Sequence, residues 1–316
     1  MKHFILLISI VLILSCNQSK PSELNLTLHN KKVLILGNSI TQNGTYVDFL
    51  EYYLRKSYPK DTLNIISIGL SSETASGDSE VDHAFPRPCI HTRLDKALET
   101  TKPDLVLACY GMNDGIYSEL DSIRFHNYKN GILKLKKKVE ATGSEFVLIT
   151  PTPFDASRKK VTENSTNYSY KQPYAHYNNV LKTYANWLTT IKGVQTINLH
   201  KFMGTELEKL KSNYPDSTFI PDGIHPNKIG HFYMAKQILN DLYPEITIKD
   251  AKTELGDLKN DTLFNLVSKR RAIRSNGWLR YIGYVKKDTV TLDDIAPTQK
   301  HVTDFDVRIS ALLNKN

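Results

Sequence analysis

The sequence of 316 residues predicts an α/β fold: a parallel sheet with helices on both faces. Three observations point there. Five short runs are almost continuously apolar, as strands covered on both sides must be: Lys32–Leu36, Leu63–Ile68, Leu105–Tyr110, Phe146–Thr150 and Val194–Leu199. Segments of helical period separate them, and parallel strands require such crossovers. The first three runs each pass straight into a glycine, Gly37, Gly69 and Gly111, at the carboxyl edge where open α/β sheets do their chemistry.

The elements can be justified in chain order. Lys2 and His3 precede the apolar stretches Phe4–Ile8 and Val11–Leu14, which read as a secretory signal rather than a membrane span. The stretch ends in Leu14-Ser15-Cys16 before polar Asn17–Pro21, and this resembles the lipobox of bacterial lipoproteins. The resemblance implies a lipidated Cys16 on an exported, membrane-anchored protein of a bacterial cell envelope. The expected organisation is a signal over 1–15, a lipidated tether over 16–30, a catalytic domain over 31–245 and a mainly helical C-terminal extension over 246–316.

After the first strand, Thr45–Ser57 places Tyr46, Phe49, Leu50, Tyr53 and Leu54 on one helical face, with Thr45 and Asp48 spaced as a capping box. Helices are also predicted over His91–Thr101, Ile123–Ala141 and Tyr174–Ile191. Pro226 suits the first turn of a helix Asn227–Leu242, with Ile229, Phe232, Ile238 and Leu242 inward. In the extension, Asp257–Arg274 and Asp306–Leu313 are predicted helices, forming a packed appendage or a small lid. Ser71–Ile90 and Phe154–Lys171 lack periodicity, and loops of that length in a compact domain are usually functional.

Composition narrows the classes. Apolar content of 40% and charged content of 23% exclude global disorder. The net charge of +8 is spread along the chain. Its local concentrations at Lys134–Lys138 and Lys269–Arg274 read as solvated helix faces. No basic surface interleaved with aromatic platforms is legible, so no nucleic-acid partner is expected. The three cysteines, Cys16, Cys89 and Cys109, fit no zinc spacing, and no disulfide is expected.

Chemistry-bearing residues collect at the predicted strand ends. Gly37-Asn38-Ser39-Ile40 follows the first strand, Gly69-Leu70-Ser71 the second and Gly111-Met112-Asn113-Asp114 the third, and Asp222-Gly223-Ile224-His225 precedes the last helix. A serine needs a base within hydrogen-bond reach, which His225 can supply, and Asp222 can orient the imidazole. The Ser39 and Gly69 N–H groups and the Asn113 amide can hold a tetrahedral oxyanion. Taken singly, each motif also suits a turn or a cap.

In this order and spacing the blocks resemble the SGNH hydrolases, also called GDSL esterases/lipases, over about Lys31 to Tyr243. Asn38 stands where aspartate is common, and the second block, Gly69-Leu70-Ser71-Ser72-Glu73-Thr74, is loose. The resemblance implies a flavodoxin-like α/β/α sandwich with a five-stranded sheet, nucleophile Ser39, base His225, orienter Asp222 and an oxyanion hole of Ser39, Gly69 and Asn113. It implies neither metal nor cofactor. Arg87, in the first long loop, is a candidate substrate contact or a loop salt bridge. The expected reaction is hydrolysis of a small acyl ester, acetyl on a carbohydrate. The alternatives are acyl transfer to a sugar and a catalytically silent carbohydrate-binding lipoprotein.

Overall fold

The computed structural model describes residues 26–290 and 292–314, so Cys16 and the apolar leader lie outside the described residues. The apolar runs form β1 (Lys32–Gly37), β2 (Asn64–Ser67), β3 (Leu105–Cys109), β4 (Glu145–Ile149) and β5 (Gln195–Ile197). They make one parallel sheet in the order β2-β1-β3-β4-β5. Val33 lies opposite both Ile65 and Leu105. The chain winds outward from β1 to one side and then returns to build the other, so the carboxyl ends of β1 and β3 flank the topological switch point. This is the flavodoxin-like sandwich expected from the sequence.

Strand alternation divides the core into two layers. Val33, Ile35, Leu107 and Ile149 pack on α2 (Thr45–Ser57), α6 (Leu199–Asn213) and α7 (Lys228–Leu242). Leu34, Leu36, Val106 and Leu148 pack on α3 (Leu94–Thr101), α4 (Ser122–Glu140) and α5 (Tyr177–Leu188). Beyond α7 come α8 (Ala251–Asp257), α9 (Thr262–Ile282), a short hairpin of β6 (Val285–Lys286) and β7 (Asp288–Thr289), and α10 (Ala296–Leu313). Helix α9 lies against α2 and the end of β2, and α10 lies on α9. No helix among the described residues is long and apolar enough to cross a membrane.

Several expectations require correction. Thr45 and Asp48 do not form a capping box: Gly44 occupies the N-cap position, and Asp48 turns inward to accept from Arg271 Nε at 2.6 Å. The run Lys269–Arg274 is not a solvated face, since Arg270 and Arg271 are buried. Arg270 is held between Glu51 and Asp306, so charge alone misread a helix face that is covered on arrival of α2 and α10. Ile229 faces solvent at 39% exposure instead of the core. Helix α6 was not anticipated, although Leu199, Met203 and Leu207 recur at helical spacing and are buried. Helix α9 starts later and runs longer than predicted, behind an Asp261 N-cap that accepts from the Phe264 N–H. Helix α10 starts at Ala296 rather than Asp306, because Val302 adds a buried position upstream. Cys89 and Cys109 are both free thiols.

Candidate active site

The short helix α1 (Ser39–Asn43) begins where β1 ends. Asn38 caps it, its side-chain oxygen accepting from the Ile40 N–H at 3.0 Å. Asn38 therefore does a capping carboxylate's work without its charge. Ser39 is the first helical residue, so its N–H is one of the donors that a helix leaves without an internal partner.

His225 reaches this serine across 186 positions of sequence: its Nε2 lies 2.8 Å from Ser39 Oγ. The other ring nitrogen, Nδ1, lies 2.7 Å from Asp222 Oδ2. The tight turn Asp222-Gly223-Ile224-His225 makes this possible, because Gly223 adopts φ +80°, a region that side chains with a Cβ rarely occupy. Asp222 Oδ1 accepts from the backbone N–H groups of Ile224 and His225 at 3.0 and 2.7 Å. Partial burial works to raise the Asp222 carboxyl, but the hydrogen bonds from the His225 ring and these N–H groups outweigh it. They hold the carboxyl well below its ordinary range, so it is ionised whenever the imidazole must be oriented.

Asn113 follows β3 in a strained turn, where Ile116 and Tyr117 take φ +45° and +59°. The strain is held in place from outside. Tyr177 donates to the Met112 carbonyl at 2.7 Å, and Tyr128 to the Tyr110 carbonyl at 3.1 Å. The Tyr117 hydroxyl donates to Asn113 Oδ1 at 2.9 Å. Asn113 Nδ2 donates to the Glu73 carbonyl at 3.1 Å, which leaves its second N–H for the crevice.

The loop after β2 carries the largest departure from the expected site. Gly69 does not line the crevice. A Cβ there would sit 2.3 Å from the Gln42 nitrogen and 2.5 Å from the Thr41 carbonyl carbon, so the glycine is needed for contact with the backbone of α1. Ser71 and Ser72 line the crevice instead. Ser72 adopts φ +68°, and its N–H has no hydrogen-bond partner among the described residues. The Gly69 N–H likewise has no hydrogen-bond partner among the described residues, so the two positions differ in that Ser72 alone is on the crevice lining. No motif marks Ser72, because a serine in the left-handed region looks like any other loop serine.

Around this loop the packing is polar and largely paired, with Arg93 Nη1 and Asp114 Oδ2 left without a partner among the described residues. Arg93 Nε and Nη2 each lie 2.6 Å from the Glu73 carboxylate, and Tyr110 donates to it at 2.6 Å. Asp114 Oδ1 accepts from the N–H groups of Ala75 and Ser76 at 2.7 and 2.9 Å. Complete burial pushes the Asp114 carboxyl up to about 6 despite those two donors.

Arg87 also lines the crevice, but its guanidinium fork is occupied by Glu80, with Nη2 to Oε1 at 2.6 Å. Of the two readings of Arg87, the structure shows the salt bridge. Phe85, Tyr117 and Tyr170 add aromatic wall, and Lys286 of β6 completes the rim. Tyr168 is turned away, donating to Glu119 and to the Glu163 carbonyl. The crevice holds about 280 Å³. Among the described residues, no cluster of three His, Cys, Asp or Glu side chains is placed to hold a metal ion. The site can move a proton from a hydroxyl to an imidazole and receive negative charge on nearby N–H groups.

A family model for the GDSL-like lipase/acylhydrolase family matches residues 35–231, a span that includes Ser39, Asn113, Asp222 and His225. The chain belongs to that family. This GDSL-like acylhydrolase is therefore a carboxylic ester hydrolase. Solved structures resemble it in fold. A gut microbial diltiazem-metabolizing enzyme is 20% identical with a TM-score of 0.53, over 69% of this chain and 48% of that one, so the match spans about half of that enzyme. Two catalytic mutants of Axe2, an acetylxylan esterase from Geobacillus stearothermophilus, are each 18% identical. One has a TM-score of 0.51 over 68% of this chain and 94% of that one. The other has a TM-score of 0.52 over 70% and 97%. No curated protein sequence matches the GDSL-like acylhydrolase.

Proposed function

We propose that the protein is a serine esterase that removes small acyl groups, acetyl above all, from carbohydrate, at a membrane surface to which a lipidated Cys16 tethers it. The observation that carries this reading is the hydrogen-bonded chain Ser39–His225–Asp222, at 2.8 and 2.7 Å, opening into a crevice of only about 280 Å³. Such a volume has room for an acetyl group and one sugar ring. The acetylxylan esterases that share its fold add support for an acetylated carbohydrate.

In this reading Ser39 Oγ attacks the ester carbonyl carbon as its proton passes to His225 Nε2. Asp222 holds the Nδ1–H and stabilises the imidazolium that forms. The carbonyl oxygen becomes an oxyanion, which accepts from the Ser39 and Ser72 N–H groups and the free Asn113 N–H. Collapse of the intermediate expels the alcohol, which takes the proton from His225, and leaves an acyl-Ser39. Water then gives a proton to His225 and attacks the acyl carbon. The second collapse releases the acid and returns the proton to Ser39.

The test compares wild-type protein with Ser39→Ala on an aryl acetate, an aryl octanoate and acetylated xylo-oligosaccharides. The reading expects turnover of both acetyl substrates, weak turnover of the octanoate, and loss of all three with Ser39→Ala. Octanoate favoured over acetate would overturn the small-acyl reading, and wild-type activity in Ser39→Ala would overturn the nucleophile.

A further inference from the structure

The crevice has a charge that its proposed chemistry does not use. We propose that Lys286 reads an anionic group on the alcohol side of the substrate, so that the preferred ester is borne by an acidic sugar such as a uronic acid; this rests on the carbohydrate-ester reading above. Lys286 stands on the β6 hairpin, outside the part of the chain that the family model covers, yet it lines the same crevice as Ser39 and His225. Its Nζ lies 5.3 Å from the centre of the Phe85 ring, which fixes the ammonium on the crevice wall.

The balance of charge at this wall favours an anion. Among the described residues no carboxylate lines the crevice, while Lys286, Arg87 and two histidines do. Carboxylates behind the wall are committed elsewhere: Glu80 to the fork of Arg87, Asp222 to His225 and Glu73 to Arg93. His83 is half-buried and directs its Nδ1 to the Phe85 carbonyl, so the ring helps to shape the wall. Arg87 is neutralised by Glu80 where it stands, and Lys286 is the other lysine or arginine of the crevice lining. A carboxylate there would gain a charge-assisted contact in a partly enclosed setting, whereas a neutral sugar would leave the ammonium to water.

The test uses two probes that differ only in charge: an acetylated methyl glucuronide and its uncharged amide. The wild-type protein is expected to favour the acid by about five- to tenfold in kcat/KM, the scale of one partly screened ionic contact, mostly through KM. Lys286→Arg should keep that ratio, Lys286→Ala should bring it near one, and Lys286→Glu should invert it. Raising the salt concentration should lower the wild-type ratio. A wild-type ratio near one that Lys286→Glu does not move, with both probes hydrolysed, would overturn this inference and leave the esterase reading standing. Hydrolysis of neither probe, with an aryl acetate still turned over, would overturn the sugar reading and this one together.

Discussion

Replacing Tyr117 by phenylalanine tests whether the crevice depends on a preorganised amide. The substitution removes one oxygen from a buried side chain and leaves the ring packed, at a tilt, beside Tyr177. That oxygen is the donor, at 2.9 Å, that fixes Asn113 Oδ1, while Asn113 Nδ2 is held by the Glu73 carbonyl. A neutral hydrogen bond of this kind is worth about 1 kcal/mol net, and an unpaired buried oxygen costs roughly 1–3 kcal/mol. Complete loss of one oxyanion donor costs on the order of 3 kcal/mol in the transition state. Tyr117→Phe should loosen the donor without removing it, so kcat should fall about tenfold, between the two limits. The assay is steady-state hydrolysis of an aryl acetate, with thermal unfolding followed alongside. KM should stay within about twofold, because the interaction belongs to the transition state. In an Asn113→Ala background Tyr117→Phe should cost little more, since the amide it orients is gone. Wild-type kcat in the single variant, or full additivity in the double variant, would refute the positioning role.

Three further outcomes are expected. His225→Ala should remove most activity on an aryl acetate, whereas Asp222→Asn should leave a measurable remainder from the oxyanion donors; equal rates in Asp222→Asn and wild type would deny Asp222 its orienting role. Gly69→Ala should lower the melting temperature and kcat together, since the new methyl meets the backbone of α1 at 2.3 Å and such overpacking costs about 1–3 kcal/mol; a stable, fully active variant would remove the contact from the account. Asp114, raised to about 6 in the folded chain, is more basic there than unfolded, so its contribution to stability grows as pH falls from 7 toward 4 and is lost as pH rises through 6. Asp114→Asn should flatten that part of the stability–pH curve by up to about 3 kcal/mol, measured by urea denaturation, and an unchanged difference from wild type between pH 4 and 7 would contradict it.

The sheet was legible because burial on both faces writes itself as apolar runs, and each strand begins within two residues of its predicted start. That Ser39, Asn113, Asp222 and His225 meet in one crevice was legible because the proposed chemistry calls for those side chains by type, and their spacing set them beside predicted strand ends. Ser72 was not, since it presents a main-chain N–H that any residue owns. Gly69 drew attention as a glycine, and its glycine character serves packing against α1. Arg87 was legible as a charge with two readings, and only the fold names the partner, Glu80, seven residues away in a loop without periodicity. Lys286 was invisible for a related reason: only the folded chain carries the C-terminal hairpin to the crevice.

The manner in which Asn113 and Asp114 grip the neighbouring loop has a consequence for redesign. Asn113 bonds the Glu73 carbonyl and Asp114 the Ala75 and Ser76 amides, groups common to nearly every residue type. The route of that segment is held by its neighbour through main-chain groups, in addition to the bonds that the Glu73 carboxylate makes to Arg93 and Tyr110. Ser76, the one residue of 73–76 that is not buried, can accordingly be varied while the trace is conserved, whereas randomising residues 113 and 114 would release it.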